Sequence, residues 1–306
     1  MKKYEGIFPV FYACYDKNGN IDPATVEEYT RWLIKKGVDG VYVGGSSGEC
    51  IYQSVEERKL VLEHVLKAAK GELIIIAHVA CNNTKDSMEL AAHAESLGVD
   101  AIAAIPPIYF KLPPYAISKY WNDISSAAPK TDFIIYNIPQ LAGVALTLPL
   151  LQDMLKNPRV IGVKNSSMPT QDIQMFKAEG EKCGRDFVVF NGPDEQFIAG
   201  RMIGADGGIG GTYSVMPELF VTLNRLFISG DLASARALQY DINDIIYTLC
   251  AGKGNLYAMI KAVLKRCEGL DLGGVREPLY NLDTSDEEIV TRAANMIDNA
   301  IVKYVK

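Results

Sequence analysis

The chain has 306 residues, which is enough for one large barrel or sheet domain with an extension, or for two medium domains. Hydrophobic residues make up 48% and charged residues 22%, an ordinary balance for a soluble globular protein. The net charge of -6 argues against a nucleic-acid or anionic-membrane partner, no apolar run is long enough for a membrane span, and no signal peptide opens the chain. We therefore expect a cytoplasmic protein.

Short apolar runs alternate with helix-length amphipathic segments up to residue 230. The runs predict strands at Gly6–Tyr12, Gly40–Val43, Leu73–Ala80, Ala101–Ile105, Phe133–Ile138, Val160–Lys164, Phe187–Phe190 and Gly204–Ile209. The segments that follow them predict helices at Pro23–Lys36, Val55–Lys70, Lys85–Leu97, Ala116–Ala127, Pro149–Lys156, Thr170–Ala178, Asp194–Ile203 and Pro217–Ile228. Strand–helix units in such a series indicate the α/β class and a (β/α)8 TIM barrel. A doubly wound sheet is the alternative, but no GxGxxG motif follows the first strand.

Strand signals stop after residue 230, and three further helices are predicted at Asp231–Cys250, Asn255–Cys267 and Thr284–Tyr304. We therefore predict a barrel that forms the catalytic domain, residues 1–230, and a C-terminal helical region packed on it, residues 231–306. In such barrels the active site lies at the C-terminal ends of the strands, so polar residues at those ends are the candidates.

Lys164 closes the apolar run of the sixth strand, where an ammonium ion is costly unless it is paired or loses its proton. A neutral amine is a nucleophile that forms Schiff bases with ketones. The alternative is a strand-end lysine that extends into solvent. Tyr136 lies near the end of the fifth strand, one strand–helix unit earlier, so the two side chains are expected to be neighbours. A tyrosine there can carry a proton, although a lone tyrosine is more often a core residue.

The turn after the second strand carries Ser46 and Ser47 between glycines, which suits a carboxylate or another anion, unless it is a plain Gly-Ser turn. Asp194 and Glu195 follow the seventh strand, where carboxylates either complement a helix dipole or accept hydrogen bonds from a polyol. The glycine-rich loop of the eighth strand has no lysine or arginine, which favours an uncharged or carboxylate ligand there. Tyr109 lies in an aromatic loop after the fourth strand, typical also of a subunit interface.

Four motifs taken together resemble the pyruvate-dependent class I aldolase family that contains N-acetylneuraminate lyase and dihydrodipicolinate synthase. They are Gly44-Gly45-Ser46-Ser47-Gly48-Glu49, Tyr136-Asn137-Ile138-Pro139, Gly162-Val163-Lys164 and Gly204-Ala205-Asp206-Gly207-Gly208. No single motif is specific, but their joint occurrence is, and the resemblance runs from Gly6 to Leu282.

The resemblance implies a role for each matched residue. Lys164 looks like the Schiff-base lysine, and Tyr136 matches the tyrosine that carries the proton. Ser46 and Ser47 match the pair that holds the pyruvoyl carboxylate, with Ser46 also helping to arrange the tyrosine. Tyr109 matches a tyrosine that reaches into the site of a neighbouring subunit. The resemblance further implies a homotetramer that acts on a small molecule and uses neither a metal nor an organic cofactor.

The residues that distinguish the family's branches favour the lyases. Leu141 stands where dihydrodipicolinate synthases carry an arginine for the semialdehyde carboxylate, and Asp194-Glu195 matches the lyases' pair for the sugar tail. Gly211 stands where a serine is common in the lyases. The substrate-binding residues that the resemblance implies are Ser46, Ser47, Ser166, Gly192, Asp194, Glu195 and Gly210.

The expected activity is therefore reversible cleavage of N-acetylneuraminate to N-acetylmannosamine and pyruvate by a Schiff-base aldolase. The alternatives are a 2-keto-3-deoxy sugar acid aldolase or 4-hydroxy-tetrahydrodipicolinate synthase of the same family, and a non-catalytic ligand-binding barrel. A zinc site is not expected, because no cysteines are spaced as CxxC and His78, one of only three histidines, lies in an apolar run as core histidines do.

Overall fold

The computed structural model describes residues 3–305. Residues 1, 2 and 306 lie outside the described range. The start of the predicted region 1–230 and the end of the predicted region 231–306 therefore lie outside it too. Within the described range the structure has eight strands: β1 (Gly6–Pro9), β2 (Gly40–Val43), β3 (Ile74–His78), β4 (Ala101–Ala104), β5 (Asp132–Asn137), β6 (Val160–Asn165), β7 (Val188–Asn191) and β8 (Gly207–Gly210). They form one sheet in the order β1-β8-β7-β6-β5-β4-β3-β2. The fold is the predicted (β/α)8 TIM barrel.

The helices alternate with the strands as predicted and continue after β8. They are α1 (Pro23–Lys35), α2 (Val55–Ala69), α3 (Thr84–Ser96), α4 (Pro114–Ala127), α5 (Pro139–Ala142), α6 (Leu148–Met154), α7 (Gln171–Glu181), α8 (Phe197–Met202), α9 (Pro217–Ser229), α10 (Leu232–Cys250), α11 (Leu256–Glu268) and α12 (Glu287–Tyr304). Side-chain caps define several starts. Ser54 forms a capping box with Glu57 at α2, and Asn83 accepts the Asp86 N–H at α3.

Several element bounds differ from the sequence prediction, and three of the differences concern the chain around the candidate site. The eighth strand begins at Gly207, because Gly204 has φ +112° and belongs to a turn that only glycine adopts readily. The helix predicted from Asp194 begins as a 3₁₀ turn, Asp194–Gln196, before α8. The short helix α5 was not predicted, since four residues give no readable periodicity.

The chain divides into two compact units, and the first contains Ile74–Ile209 with the described part of Met1–Glu5. Its strands are parallel and buried on both faces, which is why they read as continuous apolar runs. Buried polar contacts tie elements together at its edges. The Lys177 ammonium contacts the Asp206 carboxylate at 2.7 Å, and Asp206 also accepts the Val189 N–H at 2.8 Å.

The second unit contains Gly6–Leu73 and Gly210–Lys306. In it the backbone N–H of Phe11, just beyond the end of β1, donates to the carbonyl of Tyr42 in β2 at 2.8 Å. The C-terminal helix α11 reaches α1, because the Trp32 indole and the Lys36 ammonium both contact Glu268. The two units are defined by which residues contact each other, whereas the predicted division into residues 1–230 and 231–306 is defined by where the strands stop. The two divisions describe different properties, so the predicted one stays a prediction.

Candidate active site

Lys164 and Tyr136 are neighbours at the ends of adjacent strands. The parallel register of β5 and β6 pairs Tyr136 with Lys164, and the Lys164 Nζ lies 3.9 Å from the centre of the Tyr136 ring. Only 2% of the Lys164 surface is exposed, and Tyr136 is buried as well. The predicted neighbourhood is thereby confirmed, and the amine lies in the interior of the protein.

His78 packs against the same tyrosine. Its ring meets the Tyr136 ring edge-on, with centroids 5.9 Å apart, and the Ile105 N–H points to its Nε2 at 3.4 Å. His78 is buried at the end of β3. It is therefore a core histidine, as its apolar surroundings predicted, and it packs one face of the candidate proton carrier.

A row of three asparagines lies one residue further along the strands than the level of Tyr136 and Lys164. Asn137, Asn165 and Asn191 end β5, β6 and β7 in register, and alternation along a strand turns them to the opposite face from Tyr136 and Lys164. Asn137 donates to the Asn165 Oδ1 at 2.7 Å and accepts the buried Leu146 N–H at 2.9 Å. The sequence analysis missed this row. An asparagine near or directly after the end of each of three consecutive predicted strands was its signal.

Ser166 and Gly192 lie against each other above β6 and β7. The Gly192 N–H donates to the Asn165 carbonyl at 2.7 Å, and a Cβ at Gly192 would lie 2.1 Å from the Ser166 Oγ. Only glycine fits there without moving the backbone. Asp194 and Glu195 follow in the 3₁₀ turn, with Asp194 buried and Glu195 half-buried. The structure therefore brings Ser166 and Gly192 together across two neighbouring loops, and Asp194 and Glu195 follow Gly192 within the second of them.

In the second unit, Ser46 and Ser47 begin a 3₁₀ turn, Ser46–Gly48, that directly follows Gly45. Both are half-buried, and their hydroxyls and N–H groups have no hydrogen-bond partner among residues 3–305. Unpaired N–H groups at the start of a turn carry a partial positive charge that favours an anion. Gly210 lies in the same unit, where its carbonyl accepts the Val10 N–H at 3.1 Å.

Tyr109 stands out as an exposed aromatic residue in a strained backbone conformation. Its φ is +83°, it is 89% exposed, and its ring meets that of Phe110 edge-on at 4.9 Å. Phe110 and Tyr115 are exposed too, and with Tyr109 they line a groove of about 530 Å³. A positive φ is uncommon for a residue with a side chain and is found most often at functional positions.

Two other features to consider are a metal site and a membrane-spanning helix. Among residues 3–305, no three His, Cys, Asp or Glu side chains gather as metal ligands do. None of the helices in that range is both long enough and apolar enough to cross a membrane.

The comparisons with known proteins agree with these motifs. The sequence model of the Dihydrodipicolinate synthetase family matches residues 3–297. The chain belongs to this family. It is 64% identical over 305 residues to the N-acetylneuraminate lyase of Mediterraneibacter gnavus, covering 100% of this chain and 96% of that protein. It is 34% identical over 278 residues to the N-acetylneuraminate lyase of Escherichia coli, covering 91% of this chain and 92% of the other.

A solved structure agrees with the sequence comparisons on the family and the fold. The Ruminococcus gnavus sialic acid aldolase, in a form described as a catalytic lysine mutant, superposes with a TM-score of 0.97 at 64% identity. The match covers 99% of this chain and 98% of that one. The family and the fold implied by the sequence motifs are therefore confirmed. The roles of the individual site residues stay predictions.

Proposed function

We propose that this protein cleaves N-acetylneuraminate reversibly to N-acetylmannosamine and pyruvate, as a Schiff-base aldolase. The observation that carries the proposal is the buried Lys164 amine, 3.9 Å from the ring centre of Tyr136 at the ends of two adjacent strands. Full-length similarity to N-acetylneuraminate lyases at 64% and 34% identity supports it, as does a similar aldolase whose solved form is described as a catalytic lysine mutant.

The chemistry begins with attack of the neutral Lys164 amine on the C2 ketone of the open-chain sugar acid. Loss of water gives an iminium ion, which draws electrons toward C2. Removal of the C4 hydroxyl proton then breaks the C3–C4 bond, N-acetylmannosamine leaves, and an enamine remains on Lys164. Protonation of that enamine at C3, followed by hydrolysis, releases pyruvate and restores the amine.

Tyr136 is the group we assign to proton transfer. A free tyrosine is a weak base at neutral pH, so the adjacent iminium or the substrate carboxylate must assist it. Ser46 and Ser47 bind the substrate carboxylate through their hydroxyl and N–H groups. The sugar is bound by the remaining residues that match the lyases, namely Ser166, Gly192, Asp194, Glu195 and Gly210.

We also assign Tyr109 to a contact with a neighbouring subunit of a homotetramer. Its exposure beside Phe110 and Tyr115 supports this, because an exposed aromatic cluster of this kind is typical of protein–protein interfaces. The six cysteines are free thiols, which fits a cytoplasmic enzyme.

Borohydride reduction tests the Schiff base. With pyruvate present, the wild-type protein should become covalently labelled at Lys164, while Lys164→Ala should fold, remain unlabelled and lose turnover. Lys265→Ala, at an exposed lysine of α11, is the matched control and should behave as wild type. Turnover retained in folded Lys164→Ala would refute the proposal, and a wild type that is never labelled would indicate a non-catalytic barrel.

Substrate comparison separates the aldolases of the family. We expect pyruvate release from N-acetylneuraminate to exceed release from 2-keto-3-deoxy sugar acids and condensation with aspartate semialdehyde. The exposed, uncharged Leu141 near Tyr136 offers no cation for the semialdehyde carboxylate. A preference for either of the other substrates would overturn the assignment while leaving the Schiff base intact.

A further inference from the structure

Glu49 ends the serine turn in an unusual state. It directly follows the 3₁₀ turn Ser46–Gly48, and its N–H donates to the Ser46 carbonyl at 3.0 Å, which closes the turn. Its φ is +57°, in the left-handed region that residues with a side chain rarely occupy, and its side chain is fully buried. Such a conformation persists only where the surroundings hold it.

Two segments of the C-terminal part hold the Glu49 carboxylate. The Lys261 ammonium of α11 contacts one oxygen at 2.9 Å, and the Arg276 backbone N–H donates to the other at 2.9 Å. Lys261 is 2% exposed and donates also to the Gly274 carbonyl at 2.7 Å. Burial lowers the pKa of Lys261, and the charge of Glu49 opposes that effect. The carboxylate is thus fixed in direction as well as paired.

Arg276 and Gln53 fix the far end of the same segment. The Arg276 guanidinium donates to the Tyr52 carbonyl at 2.9 Å and contacts Glu57. The Gln53 Nε2 donates back to the Gly48 carbonyl at 2.9 Å. The segment from Ser46 to Gln53 is therefore held at its middle by Lys261 and at its end by Arg276, all within the second unit.

A role in stability alone does not account for this arrangement. Replacing both partners of a buried ion pair by apolar groups is often neutral or stabilising, so such a pair is weak evidence for stability. What the pair does supply is a fixed Glu49, and hence a fixed backbone immediately after the two serines. That backbone sets the direction of the Ser46 and Ser47 N–H and hydroxyl groups.

We propose that Glu49, Lys261 and Arg276 are positioning residues that hold the Ser46–Ser47 turn in the geometry for binding a carboxylate. This inference rests on the proposed function, since the carboxylate is that of pyruvate or of the sugar acid. The C-terminal helical region thereby contributes to substrate affinity, and we assign these three residues no direct contact with the substrate.

The test separates affinity from chemistry and from stability. Labelling of Lys164 by borohydride is measured against pyruvate concentration in Glu49→Gln, in Lys261→Met and in the double variant, together with each melting temperature. We expect the half-saturating pyruvate concentration to rise roughly tenfold to hundredfold, as for loss of a charge-assisted hydrogen bond, with a much smaller change in the saturating rate. The double variant should regain melting temperature but not affinity.

Lys265→Met is the matched control, because Lys265 lies on the same helix and pairs with Asp271 in solvent. It should change neither quantity. A double variant that regains both stability and pyruvate affinity would overturn the inference, because the pair would then be structural only.

A crystal structure of Glu49→Gln gives a readout that does not depend on the proposed function. We expect the Ser46–Gly48 turn to lose its 3₁₀ geometry, and an unchanged turn would overturn the inference. If the wild type is never labelled with pyruvate, the proposed function fails, while the structure of the variant still decides whether Glu49 positions the turn.

Discussion

At the scale of single residues, the Tyr136 ring lies beneath the Lys164 amine. The short distance between the amine nitrogen and the ring centre has a chemical consequence. A cation 3.9 Å above an aromatic face is stabilised by about 0.5–2 kcal/mol, depending on its hydration. In the proposed mechanism the iminium ion on Lys164 is such a cation, whereas the neutral amine is not. We therefore expect the ring to favour the charged intermediate, and we assign the hydroxyl the separate task of moving protons.

Tyr136→Phe separates the two tasks, because it keeps the ring and removes the hydroxyl. We expect pyruvate release from N-acetylneuraminate to fall roughly 10²–10⁴-fold, the usual contribution of general acid–base catalysis. Borohydride labelling at saturating pyruvate should fall much less, since the face that stabilises the iminium remains. Tyr240→Phe, at an exposed tyrosine of α10, is the control. A loss of turnover below tenfold would assign the proton to another group.

At the scale of the element, the asparagine row fixes how β5, β6 and β7 end. Asn137 is bonded to Asn165 and to the Leu146 N–H, and Asn165 also accepts from Ser167 at 3.0 Å. The same Ser167 hydroxyl lies 2.7 Å from an Asp172 carboxylate oxygen near the start of α7, so its one hydrogen is shared between two acceptors. The strand ends that carry Tyr136 and Lys164 are therefore joined to the loops above them by buried amides, which stabilise only when every partner is present.

Asn137→Ala leaves the buried Leu146 N–H and the Asn165 Oδ1 without this partner. We expect the free energy of unfolding to fall by about 1–3 kcal/mol, the penalty for an unsatisfied buried polar group. Turnover should fall as well, at temperatures where the variant is fully folded, because Asn137 directly follows Tyr136. Urea denaturation measures the first and pyruvate release the second. Asn295→Ala, at an exposed position of α12, should alter neither, and equal effects at both sites would contradict this role.

The βα period made part of the site predictable from the sequence. Tyr136 and Lys164 are one strand–helix unit apart, and parallel strands in register place such residues side by side. The contact between Glu49 and Lys261 joins residues 212 positions apart and follows from no local pattern. The 3₁₀ geometry of the serine turn was not predicted either, because three residues give no periodicity.

At the scale of the whole molecule, the helices after β8 form extensive contacts with the first part of the chain. The second unit joins Gly210–Lys306 with Gly6–Leu73, and Lys36, Glu49 and Glu57 each contact a partner from the C-terminal part. Removing residues 231–306 would take away Lys261 and the Arg276 N–H, the two partners of the Glu49 carboxylate, and we expect this to be destabilising. The helical region is predicted as a separate part by its secondary structure, but its contacts group it with the first strand–helix units.

The exposed aromatic cluster of Tyr109, Phe110 and Tyr115 leads to the last prediction. If it is a subunit contact, Phe110→Asp should place a charge in an apolar interface, dissociate the homotetramer and lower turnover, because Tyr109 would no longer reach the neighbouring site. Sedimentation velocity reports the assembly and pyruvate release reports the activity. Val302→Asp, at an exposed valine of α12, is the control and should leave both unchanged. A Phe110→Asp protein that stays tetrameric and fully active would show that the cluster lies outside any contact needed for catalysis.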